Sequence, residues 1–208
     1  FIFNVYSQPA PAMFAVSRNE PTSELPDVSK APYLLWERDL TLNRTSIIDL
    51  DQSQPLIDPS GHWIAVGALL NPGVHFFRLE DGLPLGSFKT RNDVQAPITL
   101  LDNGNILFSD QGGNIYCVKP EVKDEKLTFE QVWTTALDVP VNTKVVVDQY
   151  AKRNQPSIFI SAANDVVFSL HHDGSIAWRY EHRADPTKLG ELKLKGASTP
   201  LIFHTNQQ

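Results

Sequence analysis

Cysteine is nearly absent: Cys117 is the single one in 208 residues. That excludes an intrachain disulfide framework and any CxxC zinc or redox site. No apolar run reaches the ~18–20 residues of a membrane-spanning helix. Positive charge is scarce as well. Eighteen Lys+Arg face 24 Asp+Glu, a net charge of −6, so the basic face of a general nucleic-acid binder is not expected. The sequence also lacks GxSxG, a phosphate-cradling glycine loop, HExxH and the haem-attachment CxxCH. What is present points elsewhere. Hydrophobic residues make up 41%, enough for a packed core and against wholesale disorder. Fifteen Pro, eleven Gly and many β-branched and aromatic residues favour an all-β chain.

The opening Phe1-Ile2-Phe3-Asn4-Val5-Tyr6, followed by Ala10-Pro11-Ala12 and Ala15, fits either of two readings. One is the tail of a secretory h-region with a small-residue cleavage zone. The other is an irregular N-terminal arm. Pro9, Pro11, Pro21, Pro26 and Pro32 forbid regular helix and make residues 1–32 an expected extended arm or linker. Its apolar cluster Met13-Phe14-Ala15-Val16 suits docking on a neighbouring surface. Residues 33–208 form the second expected unit.

That unit repeats. Three segments carry the same order of four short strands. The first holds Gln54–Ile57, His62–Gly67, Val74–Leu79 and Gly82–Phe88. The second holds Ala96–Leu101, Asn105–Ser109, Asn114–Val118 and Glu130–Thr134, with an insertion from Lys119 to Phe129. The third holds Lys144–Asp148, Ser157–Ser161, Asp165–Leu170 and Gly174–Tyr180. Between them lie turns ending in Gly61, Gly104, Gly113 and Gly174, which supply the positive φ that tight hairpins need. Pro55 and Pro97 are 42 residues apart, and Trp133 and Trp178 are 45 apart. Four strands per period of ~40–50 residues is the pattern of a β-propeller. Trp36 fits the last strand of a preceding blade, and Pro200 opens a following one. The expectation is an all-β, partial propeller: about three complete four-stranded blades plus pieces of two more. Each blade must cover its neighbour's apolar face, and the outer-strand Trp is large enough to cap that seam. Open end faces call for further blades, a partner or self-association.

The segment Val167-Phe168-Ser169-Leu170-His171-His172-Asp173-Gly174-Ser175-Ile176-Ala177-Trp178 resembles the repeat of quinoprotein-like (PQQ-repeat) propellers. These are the domains related to pyrroloquinoline-quinone alcohol dehydrogenases and to the outer-membrane assembly lipoprotein of Gram-negative bacteria. The family pattern places a Trp four residues after the turn Gly, as Gly174 and Trp178 do here. In the first repeat Gly86 replaces the Trp, and in the second the insertion separates Tyr116 from Trp133. The resemblance covers roughly residues 33–203. It implies an extracytoplasmic location, whether periplasmic, secreted or lumenal. It also implies a non-catalytic scaffold with a protein partner or larger complex, and a membrane-associated partner is compatible with it.

Candidate chemistry is sparse. Asp148–Asn154 falls where integrin-type repeats carry a calcium loop, yet Lys152 and Arg153 occupy its centre and only Asp148 is acidic, so an ordinary loop is expected. His171 and His172 are adjacent on an extended chain and point to opposite faces, which opposes a shared metal and favours a polar turn closed by Asp173-Gly174. His62, His75, His182 and His204 are scattered. Asn43-Arg44-Thr45 is a lone glycosylation sequon, and Glu181, His182, Arg183, Asp185 and Lys188 read as a solvated connection. A quinone enzyme of the family would need a vicinal Cys pair, a catalytic Asp and a calcium site. Cys117 alone removes the pair. No catalytic, cofactor-binding or metal-binding residue is therefore assigned, no cofactor is expected, and the chain is read as no enzyme. Two alternatives stand: a fragment of a quinone-dependent dehydrogenase, or a small-ligand or carbohydrate-binding propeller for which Trp63 is the candidate surface ring.

Overall fold

Glycine or Asx residues at the hairpin corners decide where each strand reverses. Gly61, Gly104, Gly113 and Gly174 all have φ between +78° and +84°, and Asn164-Asp165 turn with φ of +60° and +57°. Between these corners the short β-branched and aromatic runs pair as antiparallel meanders. The computed structural model describes residues 2–5, 12–17, 33–39, 54–68, 72–124, 126–152, 155 and 157–181. Strands β1 (Ile2–Val5), β2 (Ala12–Ser17) and β3 (Tyr33–Asp39) form one sheet in the order β1-β2-β3. Three four-stranded sheets follow. The first is β4 (Leu56–Ile57), β5 (Trp63–Ala68), β6 (Gly73–Arg78) and β7 (Pro84–Lys89). The second is β8 (Thr99–Leu100), β9 (Ile106–Ser109), β10 (Asn114–Lys123) and β11 (Lys126–Ala136). The third is β12 (Val146–Val147), β13 (Ile158–Ala162), β14 (Val166–Leu170) and β15 (Ile176–Glu181).

The three sheets share one irregularity. In each, the last two strands slip register by one residue, after Phe76↔Gly86, after Cys117↔Trp133 and after Ser169↔Trp178. The same slip follows Ala15↔Trp36 in the β1–β3 sheet. In all four it comes after the fourth paired residue of the inner strand. A bulge re-aims the residue beside it, so the same station on β7, β11 and β15 is turned the same way. Three of the four stations hold Trp, and the first four-stranded sheet has Gly86.

The middle sheet shows why the sheets stack. Alternation along β9 and β10 sends Ile106, Phe108, Tyr116 and Val118 into a cluster with Trp63, Ala65, Val74 and Phe76 of the first sheet. Leu107, Ile115 and Cys117 point the other way, against Ile158, Ile160, Val166 and Phe168 of the third. Each Leu, Ile or Phe so covered contributes about 1.5–3 kcal/mol. A blade exposed on both faces forfeits all of it. Burial also pushes the Cys117 thiol up to about 11.

Trp133 closes the seam between the second and third blades. Its indole N–H donates to the His172 carbonyl at 3.1 Å, and the Thr135 hydroxyl donates to the Gly174 carbonyl at 2.6 Å. Gly174 lies so close beneath the ring that an added Cβ would sit 2.5 Å from Trp133 Cε3. The seam between the first and second blades has no Trp at the outer-strand station, which Gly86 occupies. Instead β10 and β11 run straight through the stretch expected to be an insertion, Lys119–Phe129, as one long hairpin. This corrects the sequence reading: the extra residues lengthen two strands instead of interrupting them. Phe129 on that extension lies over Gly86 at 3.3 Å from its would-be Cβ and meets the Phe76 ring at 4.8 Å between centroids. The aromatic missing from the first blade is supplied by the second.

The expected arm, residues 1–32, also needs restating. Its backbone is extended in β1 and β2, but these pair with each other and with β3 as sheet strands. The prolines fall outside the paired runs, so they do not obstruct them. Pro200 and the residues after it lie outside the described residues.

Two substitutions test the seams. Gly174→Ala combines positive-φ strain with a clash against Trp133, and is expected to lower unfolding free energy by about 2 kcal/mol or more in urea titrations. Phe129→Ala should cost about 2–3 kcal/mol by the same measurement, because its half-buried ring has no substitute over Gly86.

Candidate functional site

A buried carboxylate organises the joint between the first two blades. Asp110 closes β9, leads into the Gln111-Gly112-Gly113 turn and is fully buried. A charge taken out of water must be surrounded by donors. Asn114 gives it a backbone N–H at 3.0 Å and its side-chain amide at 2.9 and 3.0 Å. The Tyr116 hydroxyl donates at 2.9 Å, and the Asn92 backbone N–H reaches it at 3.3 Å. Gln111 N–H donates to the Asp93 carbonyl at 2.8 Å, and the Thr90 hydroxyl to the Asn92 carbonyl at 2.6 Å. The connection from β7 to β8 is thereby clamped to the β9–β10 turn.

Tyr116 is pushed up to about 12. Burial is the main cause, and the hydrogen bond to Asp110 and that group's negative charge add to it. The backbone N–H and the charge of Arg91 pull the other way. Over this pair opens a cavity of about 510 Å³, lined by Lys89, Thr90, Arg91, Asn114, Tyr116, Gln131 and Thr134, with Ala136. It lies between the outer strands β7 and β11. Tyr116 holds its proton, and the Thr134 hydroxyl is committed to the Ile115 carbonyl at 3.0 Å. The described lining has no carboxylate, imidazole or thiol to act as a base. It offers cations and amides, which suit binding.

The residues weighed from sequence lie apart from this cavity. His171-His172-Asp173 forms the β14–β15 turn: Gly174 N–H donates to the His171 carbonyl, and Asp173 accepts the Ser175 hydroxyl at 2.6 Å and its N–H at 3.0 Å. The Ser175 hydroxyl is the main reason the Asp173 carboxyl is held below its ordinary range. Asp148 receives the Tyr150 N–H at 2.9 Å, a local turn bond. Arg153 and Asn154 lie outside the described residues, and the described residues hold no group of three or more metal-ligating side chains. Trp63 is 5% exposed and packs edge-on against Phe76 at 5.2 Å, so it is a core residue and no surface platform for a sugar. His62 shares an exposed turn with Ser60 and Asp58. His75 is buried on β6. Glu181 ends β15 and pairs with Arg179 at 3.1 Å. His182, Arg183, Asp185, Lys188, His204 and the Asn43 sequon lie outside the described residues. Sequence reading passed over Asp110, Asn114 and Tyr116, having taken the stretch as a glycine hairpin turn. An acidic residue just before that turn, followed by Asn four positions on, was the available signal.

Asp110→Asn keeps the shape but turns one acceptor into a donor facing other donors. It is expected to cost about 2 kcal/mol in urea unfolding, and Tyr116→Phe about 1 kcal/mol. The native chain holds the Tyr116 proton above the ordinary value of 10.0. Its contribution to stability is therefore complete below pH ~10 and is lost as pH rises toward ~12. Phenolate absorbance should show one tyrosine of the native chain ionising late, and that late step should be missing in Tyr116→Phe.

No family model matches the chain, and no curated protein matches it. Solved structures do. BamB from Moraxella catarrhalis is 12% identical with a TM-score of 0.52, over 86% of this chain and 47% of that one. The β-propeller domain of Cps50 (Swd1) from Myceliophteria thermophila is 13% identical with a TM-score of 0.58, over 83% of this chain and 52% of that one. The chain thus spans about half the length of each. At such identities the likeness concerns architecture, and with the four repeated bulges and the stacked sheets it places this chain in the β-propeller fold.

Proposed function

We propose that this chain is a non-catalytic propeller scaffold that binds a protein partner in an extracytoplasmic, membrane-associated assembly. The observation that carries the reading is the outer strand of the third blade. Trp178 occupies the station that Trp133 holds one blade earlier, yet it is 43% exposed. Tyr180 and Ile176 beside it are 58% and 47% exposed. Large apolar side chains grouped on one surface strand favour contact with a further apolar surface, a following blade or another polypeptide, and the cross-linking below separates the two. Aromatic anchors of this kind carry much of the energy where proteins meet. The polar cavity, whose described lining holds cations and amides without a base, supports the non-enzymatic half. The compartment and the PQQ-repeat kinship rest on the resemblance of residues 167–178 to that family.

A photo-cross-linking residue placed at 178 or 180 of the full chain, in its own cells, should give a discrete adduct with one other polypeptide. Tyr150 is 83% exposed on a different loop and serves as the control position that should give none. Adducts absent from both 178 and 180, or equal from all three, would overturn the interaction reading. Stoichiometric quinone absorbance in the purified protein would overturn the non-catalytic one. Recovery of the chain in the cytosolic fraction would overturn the assigned compartment.

A further inference from the structure

The cavity between β7 and β11 has a charge that the rest of the chain does not. The protein carries a net −6; four of its other described cations are in ion pairs, and Lys126, Lys144 and Lys152 are in no ion pair among the described residues but line no part of this cavity. Arg78 holds Asp81, Lys119 and Lys123 hold Glu121, and Arg179 holds Glu181. Lys89 and Arg91 are both exposed and, among the described residues, neither is in an ion pair. They converge on the same cavity with the Gln131 and Asn114 amides. Asp110, the carboxylate beneath the cavity, is fully buried and accepts from Asn114, Tyr116 and Asn92.

The rim is also held in place before any ligand arrives. The Tyr116 hydroxyl donates to Asp110 beside the Arg91 backbone. Thr90 and Asn92 tie the residues on either side of Arg91. A fixed backbone reduces the ordering cost of binding, and two cations in a walled cleft focus their field on it. At about 510 Å³ the space falls within the range of small-ligand sites.

We infer that this cavity binds a carboxylate-bearing ligand, with Arg91 and Lys89 as the charge partners and Gln131 as a neutral donor. The same chemistry has two sources, a free dicarboxylate or an acidic side chain of another polypeptide. The inference does not depend on the Trp178 surface, which lies on another blade.

The test uses the isotopically labelled full chain, titrated at constant ionic strength with glutarate and, separately, with an N-acetylated hexaglutamate peptide. At least one probe should give saturable NMR shifts at the Arg91 amide and the Gln131 and Asn114 side-chain amides. K89Q/R91Q should weaken that binding about tenfold or more. K123Q, at the far tip of the hairpin, should leave it unchanged. Both substituted cations are exposed, and unaltered resonances in the third blade show that the variant is folded. The single variants K89Q and R91Q serve if the double one is not. Response to glutarate as well as peptide identifies a free-anion site, and response to peptide alone identifies an acidic segment. No saturable shift with either probe, or equal affinity in the folded variant, would overturn the proposal.

Discussion

Everything in this fold follows from a sheet having two faces. A four-stranded meander as short as these has no interior of its own. Ile106 and Phe108 point one way, Leu107 the other, and each set is dry only because a different blade lies on it. The strand ladders close within each blade, so they set the shape of each sheet but not their association. Association is driven by apolar burial, which is non-directional. Orientation therefore has to come from features that fix how one sheet meets the next. The shared bulge is one such feature, because it sets the direction of the residue at the same station on β7, β11 and β15.

What occupies that station then differs from seam to seam. Between the second and third blades an indole lies flat on a glycine turn and donates to its backbone, so packing and register are set by one side chain. Between the first and second blades the polarity is reversed. Gly86 provides the flat surface and Phe129 provides the ring, carried there by a hairpin that is longer than its counterparts. The length of β10–β11 and the absence of a Trp from β7 are thus two sides of one solution. An aromatic ring must fill the space, and the chain is indifferent to which blade brings it.

The repeat, the strand order and the turn positions were legible because they rest on local signals: period-2 alternation, turn glycines and evenly spaced tryptophans. Strand limits came within a residue or two for most of the twelve strands of the three blades. The failures have a common cause. Lys119–Phe129 has a charged, mixed composition that looks like a loop, and only the packing of Leu127 and Phe129 on a neighbouring blade shows why it stays extended. Ile2–Val5 and Ala12–Ser17 were obscured by the prolines around them. Trp63 looked like a surface ring because it lies outside the Trp-after-Gly frame, yet its burial is decided by Phe76 on the partner strand. Asp110 was passed over for a similar reason. A carboxylate beside a glycine turn is commonplace, and its importance depends on Tyr116 and Asn92 arriving from elsewhere.

Those same nonlocal contacts explain why the cavity is where it is. Along β11, Leu127 and Phe129 are drawn into the seam and fill it beside Gly86. Gln131, two residues further, lines the cavity instead of the core. Between β7 and β11 the joint is therefore apolar and filled at Phe129, and polar and open at Gln131. From β7 the Phe88 ring crosses to Phe108, Tyr116 and Phe129, and the gap stays open beside these rings. Lys89 and Arg91 stand at its edge, on a connection fastened by Asp110. The space beside them has walls held by the network that joins the blades. At this joint the packing of Phe129 on Gly86 and the polar cavity lined by Gln131 thus sit along the same pair of outer strands.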